Sequence, residues 1–218
     1  MQGASGELAP AEQYSGDTAL ADRHGRELGY AALSTLEGMG PPDSTLRYIE
    51  KLESGAPLAI WKRGQKEMSV KLKASSVEIE LGLKDILKKD EIEQLLKAAD
   101  DGFERERLWR KAGVCSNFSN TGETVEKFWV WQLGDSFLVS HPFDAYSYLQ
   151  QLLRQAFPKQ AIAVGNLSNG GLGYLPPKEC YDRNLYTVWQ TPFARGGLEK
   201  LIEAERTALQ KFISEVEK

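Results

Sequence analysis

Histidine and cysteine are scarce in this chain, and their scarcity limits the chemistry that the chain can perform alone. The 218 residues include two histidines, His24 and His141, and two cysteines, Cys115 and Cys180. Two histidines leave few members for a self-contained metal site or for a Ser-His-Asp triad. Two cysteines are too few for a disulfide framework, so we expect free thiols, with a single bridge as the alternative.

Long apolar runs and an excess of basic residues are also missing. No run of 18 apolar residues occurs, so the sequence predicts no membrane-spanning helix. The first residues, MQGASGE, lack the basic and apolar regions of a signal peptide, which leaves the compartment unknown. The net charge of -4, with lysines and arginines scattered, argues against nucleic acid as a partner. Nothing in the composition indicates an oligomeric state.

The composition is that of a folded domain with a sizeable interior. Hydrophobic residues make up 41% of the chain and aromatic residues 10%, which excludes a disordered chain. We expect Trp129, Trp131 and Trp189 to lie in the core or to form pocket walls. The length fits a single domain over residues 1–218.

Hydrophobic periodicity predicts alternating helices and strands. Helices are predicted from Asp17 or Thr18 to about 36, in the charged region 85–111, and over 144–157 and 198–216. Strands are predicted near 46–48 and 58–61, as a pair within 70–81, as a hairpin over 128–139 that turns at Gly134, and at 161–164. This order predicts an α/β (mixed α+β) fold, a layered mixed sheet with flanking helices.

The loop from Gly165 to Pro177 is the most informative segment of the sequence. Its sequence, GNLSNGGLGYLPP, has four glycines within nine residues and ends in two prolines. Glycine lets the backbone take positive φ and approach other groups closely, and proline stiffens the exit. We expect this loop to position the phenol of Tyr174; the alternative is a loop whose tyrosines merely pack.

Polar residues at a second strand end are also candidates for a site. His141 and Asp144 lie where an apolar strand meets a helix, the usual location of sites in layered α/β proteins. His141 is either structural or functional, and Asp144 is either a helix N-cap or an oxygen ligand for a metal. His24 is expected to be a solvated helix residue. Ser5 does not lie in a G-x-S-x-G nucleophile elbow, and the glycines beside it are suited to presenting backbone amides to an anion.

Several separated segments together resemble one family, the neutral/alkaline (non-lysosomal) ceramidases and their shorter bacterial relatives. The segments that carry the resemblance are GASGELAP at 3–10, RHGRELG at 23–29, LGDSFLV at 133–139 with PFD at 142–144, and NGGLGYLP at 169–176 with Tyr181 and Tyr186. Their order and spacing match the family's glycine loop, following helix, strand and Asn-x-x-x-Gly-Tyr turn. They span both ends of the chain.

The resemblance implies a zinc-dependent hydrolase of an N-acyl amide bond, acting on a small-molecule or lipid substrate such as a sphingolipid. It implies metal ligation by Asp144 and Tyr174 and a catalytic, substrate-contacting role for Tyr186. Zinc polarises a carbonyl and lowers the pKa of a bound water. It also implies substrate contacts from Gly3, Ser5, Gly6 and Tyr181.

Two departures from the family limit what the resemblance implies. The family's two metal histidines precede the glycine loop, where this chain begins, and Ala9 stands in place of the proposed nucleophilic serine. Asp144 replaces a glutamate, which shortens its reach by one methylene. We expect the chain to be the C-terminal part of an N-terminally truncated ceramidase-like domain, to lack tight zinc binding and to be inactive as it stands. The alternative is a non-catalytic ligand-binding or structural module.

Overall fold

The structure, a computed structural model, describes residues 2–84, 89–100, 102–118 and 122–216. The helices are α1 (Thr18–Met39), α2 (Lys89–Ala98), α3 (Phe103–Cys115), α4 (Ser147–Ala156), α5 (Tyr186–Gln190) and α6 (Gly197–Val216). The strands are β1 (Ser44–Glu53), β2 (Pro57–Gln65), β3 (Leu72–Gly82), β4 (Glu123–Leu133), β5 (Ser136–Ser140), β6 (Asp144–Ala145), β7 (Ala161–Gly165) and β8 (Tyr174–Leu175).

Most of the predicted elements are present, with three differences. The two strands predicted within 70–81 form one continuous strand, β3, because all of it pairs with β4. The charged region predicted as one helix divides into α2 and α3, and its residues 85–88 lie outside the described residues. The helix predicted from 144 begins at Ser147, because Asp144 and Ala145 instead form strand β6.

A four-stranded mixed sheet in the order β3-β4-β5-β7 forms the centre of the fold. β3, β4 and β5 are antiparallel neighbours, and the β4–β5 hairpin turns at Gly134 with φ of 64°. β5 and β7 are parallel, and α4 connects them, as a parallel pair requires a crossover. This arrangement confirms the predicted mixed α/β fold with flanking helices.

Helices α4 and α6 pack on the sheet and bury its inward-facing side chains. Alternate residues of β4, Phe128 and Val130, are fully buried because successive side chains of a strand point to opposite faces. Trp131 belongs to the other face and is 45% exposed, so the expectation that it lies in the core is wrong. The fully buried helix residues of this core are Leu149, Leu153, Leu198, Leu201 and Leu209.

The chain divides into two compact units, one of Met1–Leu8 with Val70–Lys218, the other of Ala9–Ser69. The second unit contains α1, whose N-terminus is capped by Asp17, and the antiparallel hairpin β1–β2, in which Tyr48 faces Trp61 edge-on. The prediction of one domain over 1–218 stays a prediction. Within the described residues, no helix combines the length and the apolar character needed to cross a membrane.

Candidate functional site

The buried side chain of His141 lies directly after β5 and is held on both sides. Its backbone N–H donates to the carbonyl of Gly165 at the end of β7 (3.1 Å), and its carbonyl accepts from the N–H of Ser168 (2.9 Å). Its ring Nδ1 lies 2.8 Å from Oε1 of Glu205, and its Nε2 lies 2.9 Å from Oδ1 of Asn166. Both ring nitrogens are therefore used within the protein, and His141 has a structural role here.

Asn166 connects His141 to Asp144. Its side-chain N–H group donates to Oδ1 of Asp144 (2.8 Å) and to the carbonyl of Ala145 (2.9 Å). Since that end of the amide is the donor, its oxygen must accept from His141, which places a proton on Nε2. On the other side of the ring, Nδ1 of His141 is hydrogen-bonded to Oε1 of Glu205, and both side chains are fully buried.

Asp144 does not cap α4, and the N-cap alternative is wrong. The first amide of that helix, on Ser147, instead donates to both carboxylate oxygens of Glu7 (3.1 and 2.9 Å), a residue 140 positions away. Asp144 lies in β6 and accepts hydrogen bonds from Asn166 and from Gln2 (3.3 Å). Burial raises the pKa of Asp144, and the hydrogen bond from Asn166 partly opposes that shift. Metal ligation by Asp144 stays a prediction.

The N-terminal segment docks on the same strand ends. Gln2 pairs with Asn166, and the backbone N–H of Gly6 donates to the carbonyl of Ala145 (2.9 Å). A Cβ on Gly6 would lie 2.5 Å from the carbonyl oxygen of Asp144, so only glycine fits there. The hydroxyl of Ser5 donates to the carbonyl of Gly3 (2.9 Å), a local turn contact. Gly6 thus lies beside Asp144, and the predicted contacts of Gly3, Ser5 and Gly6 with substrate stay predictions.

The glycine-rich loop is shaped by positive φ angles and ends against β6. Leu167 and Asn169 have φ of 54° and 59°, and Gly173 has φ of 104°. The carbonyl of Gly173 accepts from the N–H of Asp144 (2.9 Å), and β8 then pairs with β6 in parallel. In that register Tyr174 is the direct partner of Asp144. The two predicted metal ligands, Asp144 and Tyr174, are therefore paired residues on adjacent strands. The sequence alone did not predict this pairing.

Tyr174 and Tyr186 line one cavity of about 450 Å³ between the glycine-rich loop, α3 and α5. Their rings meet edge to face with centroids 6.0 Å apart. Tyr186 is 40% exposed. The other lining residues are Trp109, Arg110, Ala112, Gly113, Val114, Gly171, Gly173 and Gln190. This is a mainly apolar and aromatic cavity with few polar groups, the usual composition of a small-molecule site.

Two polar side chains of the cavity wall, Arg110 and Gln190, differ in whether they have hydrogen-bond partners. Arg110 donates to Oε1 of Glu106 from Nε (3.1 Å) and from Nη2 (2.5 Å). The pKa of Arg110 is raised, chiefly by the hydrogen bond to Glu106 and then by Tyr186. Gln190 is 4% exposed, and its Oε1 accepts no hydrogen bond from the described residues. A buried amide oxygen of this kind can accept an N–H or O–H group from a ligand.

Tyr181 is not among the residues that line this cavity. Its hydroxyl donates a hydrogen bond that is shared between the carbonyls of Phe193 (3.1 Å) and Ala194 (3.2 Å). Burial raises the pKa of Tyr181 to about 12. The structure therefore gives its phenol a structural contact, and the predicted substrate contact stays a prediction.

The residues that the structure describes do not by themselves form a zinc site. They contain no group of three or more histidine, cysteine or acidic side chains arranged to hold a metal ion. Asp144 and Tyr174 offer oxygen donors only, and the imidazole of His141 is already bonded at both nitrogens. Zinc in proteins prefers nitrogen and sulfur ligands. Cys115 and Cys180 are free, buried thiols, as expected.

Four residues of this region were not anticipated from the sequence, namely Glu7, Asn166, Gln190 and Glu205. Glu205 left a detectable signal, because it interrupts the apolar stripe of α6 that includes Leu201, Ile202 and Leu209. Asn166 also left one, since it follows β7 directly at the strand end. Glu7 and Gln190 act through contacts that no sequence pattern encodes.

Comparisons with known proteins give a weak structural likeness and no likeness in sequence. The sequence matches no protein-family model and no curated protein. In structure, the chain is similar to neutral ceramidase from Pseudomonas aeruginosa, with a TM-score of 0.42 and 13% identity. The likeness covers 67% of this chain and 30% of that structure, so the chain spans less than a third of its length. This TM-score lies below the level at which a shared fold is established.

Proposed function

We propose that this chain supplies one wall of the active site of a ceramidase-like, zinc-dependent hydrolase that cleaves an N-acyl amide bond. A sphingolipid-like amide is the proposed substrate. The observation that supports this most is the cavity whose wall contains both Tyr174 and Tyr186, with ring centroids 6.0 Å apart. The register pairing of Tyr174 with Asp144 adds to it, because the two positions that the resemblance assigns to the metal are then adjacent.

The cavity's lining suits an acyl amide. Aromatic and aliphatic side chains, including Trp109 and Val114, provide an apolar surface for part of an acyl chain. The buried Oε1 of Gln190 can accept the amide N–H. The phenol of Tyr186 can donate to the amide oxygen as negative charge develops on it. Water is the proposed nucleophile, because Ala9 has no hydroxyl.

Zinc ligation requires imidazole donors from outside the described residues. We therefore expect the 218-residue chain to hold far less than one zinc ion per molecule after dialysis and to lack hydrolytic activity. Inductively coupled plasma mass spectrometry measures the metal content. A stoichiometric zinc content in the isolated chain would contradict this part of the proposal.

The activity is tested on a chain extended by a segment that supplies the imidazole donors. We expect release of fatty acid from N-acylsphingosine that stops when a chelator removes the metal. Tyr186→Phe should lower kcat by about 10²–10³-fold, the usual effect of losing an oxyanion donor. Tyr148→Phe, which changes an exposed phenol on α4, is the matched control. Equal activity of the two variants, or no chelator-sensitive hydrolysis, would refute the enzyme proposal.

A non-catalytic ligand-binding module is the second candidate. It is favoured by the unsatisfied Oε1 of Gln190 within the cavity wall and by alanine at position 9. Saturable binding of N-acylsphingosine by the extended chain, weakened by Gln190→Leu and without any turnover, would support this candidate over the enzyme.

A further inference from the structure

Two cationic side chains lie over the ring of Trp189 in α5, and a third contacts the carbonyl of the preceding residue. From α3, the guanidinium carbon of Arg107 lies 4.3 Å from the centre of the indole ring, and Nζ of Lys111 lies 4.9 Å from it. Lys84 follows β3, donates a hydrogen bond to the carbonyl of Val188, and is close enough to Lys111 for the two charges to repel. Arg107, Lys111 and Lys84 are here called the Trp189 cation cluster.

The cluster has no acidic partner among the described residues. Neither Arg107 nor Lys111 has a carboxylate of the described chain within ion-pair distance. Glu106, an acid on the same helix, is bonded to Arg110. Asp182, in the segment before α5, is paired with Arg195, whose guanidinium lies over the ring of Tyr181.

Part of the cluster's positive charge is buried without a hydrogen-bond acceptor or an opposite charge beside it. Nε of Arg107 is buried and has no acceptor among the described residues. All three cations are about half-buried, and burial together with the charge of Lys111 lowers the pKa of Lys84 to about 8. Like charges brought together at partly desolvated positions are unfavourable unless an anion joins them. The cluster thus lacks an anion that would balance its positive charge.

We propose that the Trp189 cation cluster is a binding site for an oxyanion, such as a phosphate, sulfate or carboxylate group. Arginine offers a fork of N–H donors to such a group, and lysines add point charges. The ring of Trp189 holds the two α3 cations side by side through cation–π attraction, so that their N–H groups are preorganised. This proposal does not depend on the proposed hydrolase function.

The position of the cluster suggests two sources for the oxyanion. Gln190 directly follows Trp189, and Arg110 and Val114 lie on α3 together with the two α3 cations of the cluster. Gln190, Arg110 and Val114 all line the cavity. The anion is therefore either a free ion or the anionic end of a larger ligand that occupies the cavity. Both sources present the same oxyanion chemistry to the cluster.

The test is a titration of the 218-residue chain with inorganic phosphate at constant ionic strength, followed by calorimetry and by tryptophan fluorescence. We expect saturable binding that weakens by about tenfold or more in the double variant Arg107→Gln/Lys111→Gln, because two charge-assisted contacts are lost. The control Lys97→Gln/Arg206→Gln removes the same charge from exposed helix positions and should bind like the wild type. Circular dichroism confirms that each variant is folded, and Lys111→Gln alone serves if the double variant is not.

A second comparison distinguishes the two sources. N-dodecanoylglycine and its uncharged amide differ only in the terminal carboxylate. If the anion is the end of a larger ligand, the carboxylate form should bind more tightly than the amide, and the double variant should remove that preference. If phosphate binds and the two acyl compounds do not differ, the site takes a free ion. Absence of saturable phosphate and acylglycine binding, or equal binding by the double variant, would overturn the proposal.

Discussion

Lys84 is a half-buried amine whose pKa is set by its burial and by the charges near it. Burial is the main cause that lowers its pKa from 10.5 to about 8, and the charge of Lys111 is the second, while Cys115 acts in the opposite direction. Between pH 8 and 10.5 the folded protein therefore binds fewer protons at Lys84 than the unfolded chain does. The unfavourable contribution of Lys84 to stability is full below pH 8 and fades as the pH rises to 10.5.

Replacing Lys111 tests this description of Lys84. In Lys111→Gln the repulsion is gone, so the pKa of Lys84 should rise, although burial should keep it below 10.5. Competitive acetylation of lysines across a pH series, read by mass spectrometry, measures the midpoint for Lys84. Lys97→Gln, on α2, removes an equal charge and should leave the midpoint near 8. An unchanged midpoint in Lys111→Gln would show that Lys111 does not act on Lys84.

The buried pair of Glu205 and His141 gives a second prediction for single residues. Glu205→Ala should lower the free energy of unfolding by about 3–5 kcal/mol, because it leaves the buried imidazole without its partner on Nδ1. Glu203→Ala, on the exposed side of the same helix, should change it by less than about 0.5 kcal/mol. Urea denaturation of both variants measures the difference, and equal stabilities would contradict the role assigned to this pair.

Among the elements, the glycine-rich loop illustrates how backbone conformation positions a side chain. Gly173 has φ of 104°, and a Cβ there would lie 2.9 Å from Cδ of Pro192. Its carbonyl bonds to the amide of Asp144, and Tyr174 follows at once. The placement of Tyr174 in the cavity wall thus depends on a conformation that other residues adopt only with strain.

Gly173→Ala should therefore destabilise the protein by about 1–3 kcal/mol, the usual cost of a strained backbone position. Gly171→Ala is the matched control, because a Cβ there meets no atom within 4 Å and its φ is not positive. Thermal unfolding of the two variants provides the measurement. Gly173→Ala should also change the near-ultraviolet circular dichroism of the tyrosines. If both variants unfold alike, the loop does not need glycine at this position.

The length of a helix or strand decides whether the sequence predicts it. Long periodic segments such as α1, α6 and the β4–β5 hairpin were predicted, because their apolar patterns extend over ten or more residues. β6 and β8 have two residues each, and α5 has five, too few for any periodicity. Their existence depends on tertiary contacts, such as the hydrogen bond from Asp144 to Gly173.

At the scale of the whole molecule, the candidate site was predictable only in part. The composition of the glycine-rich loop indicated that Tyr174 would be positioned, and the family resemblance named Tyr186 beside it. The contribution of α3 was not predictable, because Trp109 and Arg110 lie in a charged helix that looks like an ordinary solvated surface. A cavity is a property of packing between distant segments, and a sequence pattern reports only local structure.

The two compact units differ in how much they bury, and that difference should appear in their local stability. In the larger unit, α6 contributes the fully buried residues Leu198, Leu201 and Leu209 to the core. In the smaller unit, no residue of α1 is buried. Amide exchange follows the free energy of local opening, which depends on buried apolar contacts.

Hydrogen–deuterium exchange with mass spectrometry should therefore detect rapid exchange in peptides from α1 and slow exchange in peptides from α6 and β4. Intrinsic helix propensity cannot protect α1 for long, because most helical stability in proteins comes from the packing of an apolar face. The variant Leu209→Ala should accelerate exchange throughout α6 and the sheet, since it removes a fully buried side chain of their common core, and should leave α1 unchanged. Protection of α1 equal to that of α6 would mean that the smaller unit gains stability from contacts other than those described for it.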